Sequence, residues 1–302
     1  MPKELTHWWL AAQAQRQLPA DSPVCGLLKQ EQAAYLTGTV LPDTLLHLIR
    51  GHWSTTALRL AHTFHEPPGN SFAPLVWFVE AQGQEAGSQS FPCPLPLAPA
   101  VTACLLGVAA HMEADIVFHP YICALSGNDI GLHYRYETEL DLWLLQGEKK
   151  PPVWRLKELL SDHVREAAAT VAQGLFDPGQ ELSRSTVMQA LQLHSSIQGL
   201  YGSPFWQLLA RGLALLPLPA LRSRQKLFYP FNWQQGRSLP WPDCWLDPAT
   251  GQLRHESPEE LATKAVNRIT QLLFCIDQKG LLAAFQQQPG ENLITGLAKS
   301  PV

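Results

Sequence analysis

The chain has 302 residues, of which 46% are hydrophobic and only 16% charged, with a net charge of -4. That length buries a substantial core, as one large domain or two modest ones, and the apolar content excludes disorder as the main state. The acidic balance also excludes the broad basic surface that sequence-independent nucleic-acid binding relies on, so no stable nucleic-acid binding is expected.

The N-terminus reads Met-Pro-Lys-Glu-Leu-Thr-His-Trp-Trp, with an early acidic residue and no apolar stretch leading to a small-residue cleavage site, so no secretory signal is expected. Glu31 to Leu36 has helical spacing and leads into a turn at Gly38-Thr39-Val40-Leu41-Pro42-Asp43; Thr44–Arg50 and Ser54–Phe64 then read as two short amphipathic helices. From Glu66 to Pro99 seven prolines interrupt the chain, which reads as a long excursion, a lid or a surface connector. Ala100–Phe118 is the strongest helix, stopped by Pro120, and Leu132–Leu145 is the next. Beyond Lys149-Lys150-Pro151-Pro152, helical patterns cover Trp154–Phe176, Arg184–Leu200, Pro204–Leu215 and Glu259–Gln287, with a Pro- and Trp-rich stretch from Leu216 to Pro248 before the last. No alternating β-branched run proposes a sheet, and no repeat is present. No apolar run approaches the ~20 residues that cross a bilayer. The expectation is an all-α multi-helix bundle, soluble and cytoplasmic.

Six cysteines (Cys25, Cys93, Cys104, Cys123, Cys244, Cys275) form no C-x-x-C pair, which argues against zinc-thiolate and redox sites and for buried free thiols. A bound metal would need nitrogen and oxygen. Eight of the 11 histidines precede residue 140. On the strongest helix, His111, Asp115 and His119 fall four apart, on one face and roughly 6 Å apart along the axis. A carboxylate between two imidazoles can bridge two ions. His133 and Glu137 repeat that spacing on the next helix, and two facing helices would bring all five to a shared space. Such a nitrogen and oxygen set suits zinc or another divalent ion.

These residues carry a resemblance. His111-x-x-x-Asp115-x-x-x-His119-Pro, then His133-x-x-x-Glu137-Thr-x-Leu-Asp141, with Gly38-x-x-x-Pro42-Asp43 and Thr6-His7 upstream, resembles the bacterial zinc-dependent phospholipase C family, which is related to fungal single-strand nucleases with three zinc ions in an all-helical fold. The motifs span about residues 5–145 and continue more weakly into Trp245-Leu-Asp-Pro-x-x-Gly251 and the helix after Ser257-Pro-Glu-Glu. The resemblance implies one zinc on Asp43, His52, His111 and Asp115, a second on His119, His133 and Glu137, and a third between Asp115, His7 and the N-terminal amine, exposed on Pro2 if Met1 is removed. Two or three ions are therefore expected, with His7 an outer hydrogen-bonding group if there are two. His52 is preferred over His62 and His65 because His52-x-x-x-Thr56 opens the following helix.

The implied activity is hydrolysis of a phosphodiester or phosphomonoester by in-line attack of zinc-bound hydroxide, with Asp43 as ligand and general base. Asp141 is a candidate acceptor for a ligating imidazole, or an ion-pair partner of Arg135 or Lys149. Thr44 follows Asp43 where an aromatic helps recognise choline in secreted phospholipases, so the expected partner is a phosphoester or phospholipid head group without choline preference. Trp8, Trp9, Trp53, Trp77 and Tyr134 are candidate pocket or packing residues. Arg222, Arg224 and Lys226 are a basic cluster that could meet a phosphate or an anionic membrane, so peripheral membrane contact is left open. The alternatives are a nuclease or other phosphoesterase of the same fold, and a non-catalytic, metal-stabilised helical binding protein. The chain reads as a single all-helical domain, 1–302, with a metal-site half at 1–148 and a helical half at 153–302 containing the segment 216–248.

Overall fold

A computed structural model describes residues 3–48, 54–67, 69–85, 97–146, 150–176, 179, 181–231, 233 and 240–298. The architecture is all-helical. Helices α1 (Glu4–Arg16), α2 (Pro23–Gln30) and α3 (Gln32–Gly38) lead to a single-turn α4 (Leu41–Thr44), which runs into a 3-10 turn, Leu45–His47. Then come α5 (Ser54–His65), α6 (Ala73–Glu85), α7 (Pro99–Ser126) and α8 (Ile130–Gln146), and after a 3-10 turn at Leu156–Glu158, α9 (Asp162–Phe176) and α10 (Arg184–Tyr201). Helices α11 (Pro204–Leu213) and α12 (Pro219–Gln225) precede a minimal antiparallel pair, β1 (Trp245–Leu246) and β2 (Leu253–Arg254), and α13 (Pro258–Lys279) and α14 (Leu281–Gln286) follow.

Helix α7 is the centre of the molecule. Every residue from Thr102 to Ile122 is buried, and α1, α3, α8, α9 and α13 all pack on it. By length and mean hydropathy, 1.5 in its most apolar window, it could cross a membrane, which corrects the expectation that no stretch qualifies; 94% of that window is buried inside the protein. The stripe of His111, Glu113 and Asp115 hid the run from a search for uninterrupted apolar residues. Helix α3 meets α7 backbone to backbone, because neither has a side chain at the contact. A Cβ on Gly38 would lie 2.0 Å from the Cys104 carbonyl oxygen, and one on Gly107 2.1 Å from that of Tyr35.

Several boundaries differ from the sequence reading. Pro120 does not stop α7, which runs to Ser126. A proline inside a helix orphans the carbonyl four residues back, here Ile116, and the C-terminal segment comes to that point: a Cβ on Gly296 would be 2.7 Å from the Ile116 oxygen. The excursion at 66–99 contains α6, and the segment 216–248 contains α12 and β1. Helices α1 and α2 lie in a stretch where no helix was expected, and Glu259–Gln287 breaks at Gly280, whose φ of 84° ends α13. Start signals did their work elsewhere: Ser257 and Glu260 form a capping box on α13, and Ser22 caps α2 ahead of Pro23. Cys25 and Cys104 are buried free thiols, whereas Cys244 is exposed.

Candidate metal centre

The expected stripe exists. His111, Asp115 and His119 are 0%, 0% and 2% exposed. Each imidazole is oriented by a main-chain carbonyl, which can only accept, so Nδ1 carries the proton and Nε2 keeps its lone pair. His111 Nδ1 donates to the Thr39 carbonyl at 2.8 Å, a group delivered by the glycine contact between α3 and α7. His119 Nδ1 donates to the Leu293 carbonyl at 2.8 Å. That carbonyl is held on α7 by the C-terminal segment, where Asn292 accepts from the amides of Ile294 and Thr295, and where Arg268 ties Glu113 of α7 to Glu291.

Asp115 faces both ways. Its Oδ1 is 3.6 Å from His7 Nε2 on α1, and its Oδ2 is 3.1 Å from His111 Nε2. His65, at the end of α5, donates from Nδ1 to the Ala61 carbonyl at 2.8 Å and turns Nε2 to Asp43 Oδ1 at 3.5 Å. None of these carboxylate contacts has hydrogen-bond geometry. His7 Nε2, Asp43 Oδ1, His65 Nε2, His111 Nε2 and both Asp115 oxygens are buried without a hydrogen-bond partner. One orphan costs ~1–3 kcal/mol, and six pointing together are not tolerated without a cation.

Two triads offer donor atoms within 4.8 Å of one another, His7–His111–Asp115 and Asp43–His65–His111. The His7 and His111 rings stack with centroids 4.3 Å apart and 15° between planes. Lone pairs of near-parallel rings run side by side and do not converge on one tetrahedral ion. The donor set would therefore suit two ions rather than one, with His7 and Asp115 available to one and Asp43, His65, His111 and Asp115 to the other. On the far side of Asp115, the His119 ring lies 5.9 Å from that of His133 on α8, and His133 Nε2 is 3.0 Å from Glu137 Oε1. The His133 and Glu137 side chains are 19% and 10% exposed and that of Asp43 is 16% exposed, so the row is sealed only between them.

Electrostatics separate the imidazoles. Burial, then the neighbouring His111, pushes His7 down to about 3. Burial also opposes charge on His111, but Asp115 and Asp43 raise it above its ordinary value. Burial would raise Asp43; its His65 and His111 neighbours instead hold it far below the carboxylate range.

Of the expected ligands, His7, Asp43, His111, Asp115, His119, His133 and Glu137 lie along this one row. His52 and the N-terminal amine are outside the described residues, as are Trp53 and Lys149. His65, which sequence spacing ranked behind His52 and placed just past the Ser54–Phe64 helix, ends α5 and is buried against Asp43; His62 is exposed. Asp141 serves no imidazole. It accepts from the Thr6 amide (2.9 Å), the Thr6 hydroxyl (2.6 Å) and the Tyr229 hydroxyl (2.6 Å), fixing the turn of α1 that carries His7, while Arg135 lies 4.0 Å from Glu139. Trp8 is core, donating to the Leu36 carbonyl, and Trp77 is exposed, so the aromatics do not form one pocket.

Sequence reasoning also missed a second buried cluster. Glu4 Oε1 is 3.2 Å from His194 Nε2, His47 stacks on His194 at 3.9 Å, and His47 Nδ1 donates to the Asp43 carbonyl at 3.1 Å. The donor atoms lie close enough for one ion, but the rings are 11° from parallel and their lone pairs do not meet. The cluster acts as a brace beneath Asp43. Part of its signal was present as Asp43-x-x-x-His47, one helical turn. A groove of about 1190 Å³ between α5, α6 and α9 is lined by none of the ligand-type residues of the centre.

A family model described as zinc dependent phospholipase C matches residues 6–177. No curated protein and no solved structure matches the chain.

Proposed function

The chain belongs to the zinc-dependent phospholipase C family, and from that premise we propose that it is a metal-dependent hydrolase of phosphodiester bonds in phospholipid-like substrates. The observation that carries the proposal is the convergence of six unpartnered buried donor atoms on and around Asp115. Asp43, His65, His111 and Asp115 would hold one zinc, His119, His133 and Glu137 a second, and His7 with Asp115 a third; His52 remains the alternative to His65.

Bound zinc supplies Lewis acidity towards phosphoryl oxygens and lowers the pKa of coordinated water to about 7. The residues supply position. Thr39, Ala61 and Leu293 carbonyls lock three rings with Nε2 inward, so no reorganisation is needed when substrate arrives. Asp43 stays ionised through the neutral range and accepts a hydrogen bond from the attacking water; its depressed basicity suits orienting that water rather than keeping its proton. Substrate enters where the row is partly exposed, at His133 and Glu137, while buried His111 and Asp115 exclude bulk water behind it.

The test is metal content of purified protein together with turnover of a generic phosphodiester, repeated for Asp115→Asn and His119→Ala. Two or three zinc ions per chain, with ions and activity lost together in Asp115→Asn, are expected. Less than one ion per metal-replete chain overturns the site; full occupancy without turnover of lipid, nucleotide or generic esters overturns the reaction.

A further inference from the structure

Helix α11 is inside out. Its one buried residue is polar, Gln207, while Phe205 and Leu208 are 67% and 65% exposed and Trp206 and Leu209 accompany them. The turn that follows continues the surface with Leu215, 83% exposed, and Leu218. Soluble proteins rarely leave so contiguous an apolar face uncovered.

The charge beside it is equally one-sided. Residues 182–242 contain six Lys or Arg and no Asp or Glu, within a chain whose net charge is -4. Arg222 and Arg224 project from α12, which has no buried residue and packs back on α11, and Arg211 caps the apolar face over the Phe231 ring. Aromatic and leucine side chains flanked by arginines are the composition of a helix lying in the plane of an anionic membrane surface.

Location ties the surface to the centre. Helix α12 packs on α8: Ser223 sits against Gly131, and the Thr138 hydroxyl donates to the Lys226 carbonyl at 3.0 Å. His133 and Glu137 fall between those two contacts in sequence but about 200–240° around the helix from Gly131, so α8 carries α12 on one face and the centre's residues on the other. We propose that the α11–α12 hairpin docks the protein on an anionic phospholipid bilayer and so holds the centre, through α8, at the lipid surface. The proposal rests on the phospholipid reading above and names its substrate's physical state, lipid within a membrane.

The test is co-sedimentation of the full chain with phosphatidylcholine vesicles with and without phosphatidylserine, alongside turnover of vesicle lipid and of a dispersed water-soluble phosphodiester. Wild type is expected to bind vesicles containing phosphatidylserine, and less at high salt. Each basic group near such a surface contributes about fivefold, so Arg222→Gln with Arg224→Gln weakens that binding about 25-fold. Phe205→Asp with Leu208→Asp, at exposed positions that leave the core intact, abolishes binding and turnover of vesicle lipid while turnover of the soluble ester is unchanged. Wild type that does not bind, or a Phe205/Leu208 variant that binds as well, overturns the proposal. So does a variant whose only change is from dimer to monomer, which would make the face a contact between copies. Vesicle binding is read without turnover, so an inactive protein that still binds overturns the hydrolase reading alone.

Discussion

The stacked imidazoles of His7 and His111 are opposite in their hold on a proton. Burial and the adjacent ring displace the His7 proton, whereas His111, equally buried, is held above its ordinary value by Asp115 at 3.1 Å. A ligating Nε2 must be deprotonated, so of the two stacked rings His111 is the one whose proton competes with metal.

Zinc uptake below the raised pKa of His111 should therefore release its Nε2 proton, and affinity should fall as pH drops through that pKa. Calorimetric titrations in buffers of different ionisation enthalpy read that proton directly; His111→Ala should lose both the proton and an ion. Uptake without proton release would contradict the assignment.

Gly107→Ala should destabilise the fold and loosen the centre together. The added methyl meets the Tyr35 carbonyl at 2.1 Å, a backbone atom that cannot turn aside. Separating α3 from α7 costs ~1–3 kcal/mol or more and withdraws the Thr39 carbonyl from His111. Thermal melts of the metal-free and metal-loaded forms should show both losses; a melt unchanged by the substitution would refute the close contact.

Arg268→Ala acts at a distance. Without the guanidinium, Glu113 is left buried and unpaired, and Glu291 no longer ties residues 291–297 to α7. Displacing the Leu293 carbonyl frees the His119 ring, and loss of such an orienting acceptor typically costs ~10–100-fold in metal affinity. Competition with a chromophoric chelator measures it. Arg268→Lys should recover little, since one ammonium cannot span both carboxylates.

Asp141 should leave a signature in the pH dependence of stability. Burial raises its carboxyl from 3.8 to about 6 against the opposing pull of Lys3, Thr6 and Tyr229. The folded chain thus holds this proton more tightly than the unfolded chain. Its contribution is fully present below the unfolded value and is lost as pH rises through about 6, by about 3 kcal/mol at most. Urea midpoints across that window should show the fall in wild type and not in Asp141→Asn. Asp141→Ala should be worse at every pH, because three donors lose their acceptor at ~1–3 kcal/mol each.

Local geometry was legible and long-range geometry was not. The i, i+4 stripe of His111, Asp115 and His119 and its partner pair on α8 were readable because helical periodicity alone puts those side chains together, whereas the turn expected over Gly38 to Asp43 is in part the helix α4. The helix around Pro120 was misread because the orphaned Ile116 carbonyl finds its accommodation 180 positions away at Gly296, and nothing near Pro120 announces that. His65 and His52 share a type and a neighbourhood in sequence, and only the path of α5 brings His65 to Asp43. Carbonyl partners such as Leu293 leave no trace in residue identity at all.

That last contact has a consequence in time. A chain made from its N-terminus completes α7 and α8 long before Leu293 emerges, so throughout synthesis His119 lacks the acceptor that aims its ring. The centre cannot assume its final form on a nascent chain. It closes only when the segment carrying Leu293 docks, so a chain that stops short of that residue cannot finish the centre.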